Sequence, residues 1–157
     1  MTLIGKPIPP FALDDDQGAR ISPETLKGAW TVLYAYPKDA TPGCTTEACD
    51  FRDNWARVQA AGAKVYGISK DSVASHQKFV AKQELPFPLL SDPDKTLLAA
   101  LGAFGKKIMY GKEVEGIIRS TFLVDPEGII RHVWPKVSVK GHVQAVLDQL
   151  EALQKGS

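Results

Sequence analysis

The sequence predicts an α/β sandwich, a sheet of mixed strand direction covered by helices and preceded by a hairpin. Two short runs, residues 31–36 (Thr-Val-Leu-Tyr-Ala-Tyr) and 64–69 (Lys-Val-Tyr-Gly-Ile-Ser), are apolar and β-favouring almost throughout. That is the pattern of strands covered on both faces. A helical pattern ending at Gly62 lies between them, so the three segments make a βαβ unit. Further on, two β-favouring runs, 117–124 and 129–134, are joined by Asp125, Pro126, Glu127 and Gly128. This is hairpin chemistry, and it adds antiparallel strands to the parallel pair.

The remaining elements follow from local signals. Residues 11–13 and 19–21 flank Asp15, Asp16, Gln17 and Gly18, a hairpin whose glycine can take a positive φ. Ser22 and Pro23 supply the cap and first position of a short helix. Ser72 caps a helix running to about Gln83, which Pro86 and Pro88 prevent from continuing. A short helix is expected around residues 96–101. At the end, Val143, Val146, Leu147, Leu150 and Leu153 fall on one helical face, so the last segment packs on the sheet as an amphipathic helix. No repeat, low-complexity tract or Ser/Gly-rich linker interrupts the chain, and residues 1–157 are expected to form one domain.

Composition narrows the function. With 44% hydrophobic and 24% charged residues, the chain has the make-up of a soluble globular protein. Nineteen Lys and Arg balance eighteen Asp and Glu, and no basic run is interleaved with aromatics, so the electrostatic footprint for nucleic acid or an anionic membrane is missing. No segment has the length of a signal peptide or a membrane span, which gives a cytoplasmic location as the expectation. Two cysteines are too few for a structural framework, and a reducing compartment keeps ordinary thiols reduced. Their chemistry is therefore the question.

Residues 37–44 carry the chain off the first central strand, through a loop and into a helix, with Cys44 near the helix start. Unpaired N–H groups and the positive dipole end at such a position favour thiolate over thiol, which makes Cys44 a candidate nucleophile. Cys44, Ala48, Phe51, Trp55 and Val58 share one helical face, expected to pack toward the sheet. Cys49, five positions on, is rotated by about 140° and points away. Helix geometry separates the two Cα atoms by roughly 8 to 9 Å, beyond the ~7 Å limit of an unstrained bridge. A disulfide between them requires the helix start to unwind. It would be transient, formed when Cys49 attacks a sulfenic acid on Cys44. Two alternatives use the same residues. Free cysteines often fill cores, and Cys-x4-Cys could hold zinc, although His76, His132 and His142 are scattered without ligand spacing.

Pro37, Thr41 and Cys44 match the Pro-x-x-x-Thr-x-x-Cys signature of peroxiredoxins, and the run Thr-Pro-Gly-Cys-Thr at 41–45 with Cys49 resembles the bacterioferritin comigratory protein, or peroxiredoxin Q, branch. The likeness extends through residues 51–53, 67–72, 85–92 and 119–124, and so over essentially the whole chain. The resemblance implies a thioredoxin-like fold, a central mixed sheet flanked by helices with an N-terminal hairpin. It implies a peroxidatic role for Cys44 and a resolving role for Cys49, with Arg119, Thr41 and Pro37 completing the site. Hydrogen peroxide or an organic hydroperoxide would be the substrate and thioredoxin, or else glutaredoxin, the reductant. No metal, flavin or nucleotide is needed, and an intramolecular bridge permits a monomer.

Residue chemistry fits these roles. An Arg119 within an apolar β-run would be costly to bury unpaired, and a nearby thiolate would justify it. Its guanidinium would stabilise the Cys44 anion and the peroxide oxygens. The Thr41 hydroxyl would accept the peroxide proton and donate to the thiolate, while Pro37 and Pro42 stiffen the loop. Glu47 could orient Arg52 or Arg119, but a solvated carboxylate near a helix start is the plainer expectation. Two rival functions remain open on the residues alone. A thiol-disulfide oxidoreductase would use Cys-x-x-Cys spacing, and a redox sensor or holdase would oxidise slowly.

Overall fold

The computed structural model describes residues 3–156. A seven-stranded mixed sheet is built from β1 (Leu13–Asp15), β2 (Arg20–Ile21), β3 (Thr31–Ala35), β4 (Lys64–Ser69), β5 (Leu89–Ser91), β8 (Ser120–Val124) and β9 (Ile130–Trp134) in the spatial order β2-β1-β5-β4-β3-β8-β9. The parallel core β5-β4-β3 follows from the βαβ pattern, and antiparallel strands flank it on both sides. The N-terminal hairpin forms with Gly18 at φ +80°, although its first strand lies two residues later than the expected 11–13 and takes Asp15 out of the turn. All five residues of β3 are buried, and their alternation feeds two cores. Val32 and Tyr34 point to one side with Cys44, Phe51, Phe79, Val146 and Leu150. Leu33 and Ala35 point to the other, with Leu26, Leu97, Leu98 and Phe122.

The helices are α1 (Pro23–Leu26), α2 (Pro42–Asp53), α3 (Trp55–Ala60), α4 (Val73–Gln83), α5 (Thr96–Ala100) and α6 (His142–Lys155). Ser22 and Ser72 are the caps of α1 and α4, and the Ser72 hydroxyl accepts from the Ser75 N–H at 3.1 Å. In α6, Val143, Val146, Leu147 and Leu150 are buried, with Leu153 packed at the edge of the same core. No helix among the described residues is long and apolar enough to cross a membrane.

The structure departs from the sequence reading in four further places. The cysteine helix, expected to run unbroken to Gly62, is two helices. Asn54 leaves the helical region at φ −106°, ψ 19°, and its side chain donates to the Asp50 carbonyl at 2.8 Å, a local bond that competes with the helix ladder. The expected strand 117–124 is also two strands, because Ile118 and Arg119 form a junction between β7 (Lys112–Ile117) and β8. There the Ile118 N–H turns to the Ala103 carbonyl at 2.6 Å, and the Arg119 carbonyl accepts from Val137 N–H at 2.8 Å. An unexpected hairpin pairs β6 (Phe104–Met109) with β7 outside the main sheet. Its turn, Tyr110 at φ 54° and Gly111 at φ 78°, has the two consecutive positive φ values of a type I′ hairpin. Finally, the segment after Pro88 is a strand, β5, rather than only a break.

Candidate active site

The site assembles where β3 ends. The chain leaves the sheet at Tyr36, turns through residues 37–41 and enters α2 with Thr41 as N-cap and Pro42 as first helical residue. Asp39 anchors this loop to α4. Its Oδ1 accepts from the Tyr36 hydroxyl at 2.5 Å, its Oδ2 accepts from Ser75 at 2.8 Å and lies 2.7 Å from His76 Nδ1, and its N–H donates to Asp71 Oδ2 at 2.8 Å. Burial alone would raise the Asp39 carboxyl, but the hydrogen bonds from His76, Tyr36 and Ser75 outweigh it and hold the group below its ordinary range. His76 is fully buried, with Nε2 2.9 Å from the Leu90 carbonyl. Ligand atoms of Asp39, Asp71 and His76 lie within 4.8 Å of one another, as a metal site would need. Each already takes part in hydrogen bonds that fix the loop.

Cys44 is the third residue of α2 and is 1% exposed. One turn later Glu47 is wholly buried, so the two side chains line the same inward face. Arg119 reaches across from the β7–β8 junction and spans both. Its Nη2 donates to Cys44 Sγ at 3.2 Å and its Nη1 to Glu47 Oε1 at 2.6 Å. Gly43 clears the way, since a Cβ there would lie 3.3 Å from Arg119 Nη2. Burial pushes the Glu47 carboxyl up to about 7 even though Arg119 opposes the shift. Glu47 Oε2 and the Tyr34 hydroxyl have no hydrogen-bond partner among the described residues, and burial followed by the Glu47 and Cys44 charges holds the Tyr34 proton firmly.

Two further residues act on this centre. Lys107 stands opposite Val114 in the hairpin, yet its Nζ runs back over Gly116 to the Ile117 carbonyl at 2.8 Å, two residues from Arg119. A Cβ at Gly116 would sit 3.1 Å from Lys107 Cε, so glycine keeps that path open. Burial and then Arg119 lower the Lys107 ammonium, while Cys44 favours its charge. On α6, His142 Nε2 meets Thr121 Oγ1 at 2.8 Å, and burial followed by the Arg119 charge pushes the ring down to about 4, leaving it neutral near pH 7.

The structure thus joins Cys44 to Arg119 and places Thr41 and Pro37 at the two ends of the loop. The Thr41 hydroxyl donates to the Lys38 carbonyl at 2.8 Å, so its proton goes to the loop rather than to the thiolate, and its lone pairs are left to accept. Cys49 is half-buried on a different face of α2, where its thiol donates to Gln83 Oε1 at 3.5 Å. Both cysteines are free. The expectation of a solvated Glu47 is overturned. The signal was its spacing of three from Cys44, which puts both on one helical face. Lys107 carries no such signal, because its hairpin lacks the apolar alternation of a buried strand pair.

The model of the AhpC/TSA family matches residues 4–133 of this chain. Peroxiredoxin Bcp of Xanthomonas campestris is 53% identical over 128 residues, covering 82% of this chain and 80% of that protein. Peroxiredoxin Bcp of Bacillus subtilis is 45% identical over 152 residues, 97% of each. Among solved structures, the X. campestris bacterioferritin comigratory protein, described for its alkyl peroxide reduction activity, superposes with a TM-score of 0.86 at 48% identity over 90% of each chain. A Cys-to-Ser mutant of Xylella fastidiosa PrxQ superposes with a TM-score of 0.91 at 38% identity over 98% of each.

Proposed function

This chain belongs to the AhpC/TSA family, in its peroxiredoxin Bcp branch, and from that premise we propose that it is a thiol peroxidase working through Cys44 and Cys49. The Cys44 thiolate attacks one oxygen of a hydroperoxide, the O–O bond breaks, and the products are a Cys44 sulfenic acid and an alkoxide or hydroxide that takes a proton. Arg119 stabilises both the starting thiolate and the negative charge that moves onto the leaving oxygen. The observation that carries the reading is its double grip, with Nη2 on Cys44 Sγ at 3.2 Å and Nη1 on Glu47 at 2.6 Å. Thr41 accepts from the peroxide and holds the O–O bond in line, and Pro37 stiffens the loop that carries it.

Cys49 then condenses with the sulfenic acid, releasing water and leaving a Cys44–Cys49 disulfide. In the helix the sulfurs face apart, so the start of α2, from about Thr41 to Asp50, unwinds on each cycle. A dithiol donor of the thioredoxin type, with glutaredoxin as the alternative, restores both thiols by exchange. This chemistry suits a cytoplasmic pool of reduced thiols and a single-domain monomer, since the bridge is intramolecular.

Stopped-flow mixing with peroxide tests the assignment. Wild type is expected to lose one thiolate rapidly, and Arg119→Ala is expected to be slower by roughly 10²- to 10³-fold. Cys49→Ser should oxidise at the wild-type rate and stop at sulfenic acid, visible by mass spectrometry. Equally slow oxidation of wild type and Arg119→Ala would overturn the peroxidase reading. Wild-type turnover by Cys49→Ser would overturn the resolving role.

A further inference from the structure

Helix α4 ends at Gln83, and Glu84 then turns the chain into the left-handed region at φ 52°. The carbonyls of a last helical turn lack intrahelical donors and sit at the negative end of the dipole. Here the Gln83 carbonyl accepts from Arg52 Nη1 at 2.7 Å. Its side-chain carbonyl accepts from the Cys49 thiol at 3.5 Å. Cys49 and Arg52 are three positions apart, neighbours on one face of α2. One residue at the end of α4 is therefore held at both of its carbonyls by consecutive turns of the cysteine helix. The Arg52 charge is favoured first by Asp53, whose Oδ1 lies 3.0 Å from Nε, and also by Cys49.

We infer that Gln83 is a positioning residue for the disulfide-forming step. Together with Arg52 it clasps Cys49 to α4 in the reduced protein, and the clasp must open before Cys49 can reach Cys44. The inference rests on the resolving role proposed for Cys49. In that step the Cys49 sulfur displaces the sulfenic oxygen of Cys44, the S–S bond forms as the S–O bond breaks, and the two hydrogens leave with the oxygen as water. The peroxide of the first step has supplied the oxidising equivalents. A Cys49 sulfur bonded to Cys44 has no hydrogen to donate and has left the α4 side of the helix. The clasp therefore belongs to the reduced form alone, where it slows closure and favours the dithiol over the disulfide.

The test follows free thiols by rapid quench and mass spectrometry after mixing full-length protein with hydrogen peroxide. It adds the disulfide's reduction potential measured in glutathione buffers. Gln83→Ala removes the side-chain acceptor but keeps the main-chain carbonyl for Arg52. Closure is expected to be about fivefold faster, the worth of roughly one hydrogen bond. The equilibrium is expected to shift about fivefold toward disulfide, or about 20 mV more negative. Gln83→Glu offers Cys49 a stronger acceptor and Arg52 a second charge, and should close more slowly than wild type. The second-order oxidation of Cys44 involves none of these groups and serves as the control within each trace. Variants that both close at the wild-type rate with unchanged potential would overturn the clasp, as would variants that both shift in the same direction. If wild type formed no Cys44–Cys49 bridge, the resolving role itself would fall, an outcome separate from an intact bridge indifferent to Gln83.

Discussion

Helix α2 holds two cysteines five residues apart and treats them in opposite ways. Its first half carries a buried pair on its inward face. Cys44 and Glu47 are at most 1% exposed and share one guanidinium delivered from the β7–β8 junction. Its second half keeps Ala48 and Phe51 in the core but leaves Cys49 half-buried on another face. The Cys49 thiol donates to Gln83 at the end of α4, and the helix breaks five residues on, at Asn54. Reactivity toward a small oxidant requires a fixed, shielded sulfur whose charge is compensated before the oxidant arrives. Closing a bridge requires a sulfur that can move. In the proposed cycle a single helix meets both needs in turn, holding Cys44 against Arg119 while it is folded and freeing the sulfur when its start unwinds.

The contrast can be broken at the Cys44 end first. Glu47→Ala leaves Arg119 without the partner that aims it. Oxidation of Cys44 should slow by about 10²-fold, the usual cost of a misplaced catalytic group, while closure keeps its wild-type rate. A Glu47→Ala protein slowed equally in both steps would show that the two halves are not independent.

A pH comparison sharpens the same point with a somewhat smaller effect. Because burial raises the Glu47 carboxyl from 4.5 to about 7 in the folded protein, the native state keeps a proton that the unfolded chain has released between those values. Stability from this group is fully present below pH 4.5 and is lost as the pH rises through 7. Relative to wild type, Glu47→Gln should therefore gain on the order of 2 kcal/mol between pH 4.5 and pH 8 in urea unfolding. A difference independent of pH would place the Glu47 charge elsewhere.

Smaller still is Gly43→Ala. The added Cβ crowds Arg119 Nη2 at 3.3 Å, and a displacement of a few tenths of an ångström should slow Cys44 oxidation by roughly fivefold. At the other end of α2, Asn54→Ala deletes two side-chain bonds, one to the Asp50 carbonyl and an exposed one from Gln144, and should cost about 1 kcal/mol of stability with no change in the oxidation rate.

Much of this architecture is legible in the chain. The buried strands β3 and β4, the caps Ser22 and Ser72 and the closing face of α6 each follow from a local pattern. Cys44 and Arg119 are also marked, one by its place before a helix and the other as a cation among apolar residues. What escaped had long-range or subtle causes. The hairpin β6–β7 is short of apolar alternation, with Ile108 and Tyr110 exposed at 71% and 98%, so no periodicity announced it. The apolar run around Arg119 is continuous and places it inside a strand, whereas the long-range bonds of Ile118 to Ala103 and of Val137 to Arg119 divide that run. Glu47 was read as solvated because helix starts favour carboxylates, and its burial depends on an arginine 72 positions away. The anchoring of Asp39 by His76 likewise joins residues 37 positions apart, which no local pattern reveals.

In the proposed cycle Cys44 reacts inside an intact α2 and bonds to Cys49 only after that segment unwinds. Amide hydrogen exchange of reduced and peroxide-oxidised protein, read by peptide mass spectrometry with the thiols quenched, tests it most directly. On oxidation, amides from about Thr45 to Asp50 should lose their protection while those of β3 and β4 keep theirs. A Cys44–Cys49 disulfide formed with the α2 amides as protected as in the reduced protein would contradict the account.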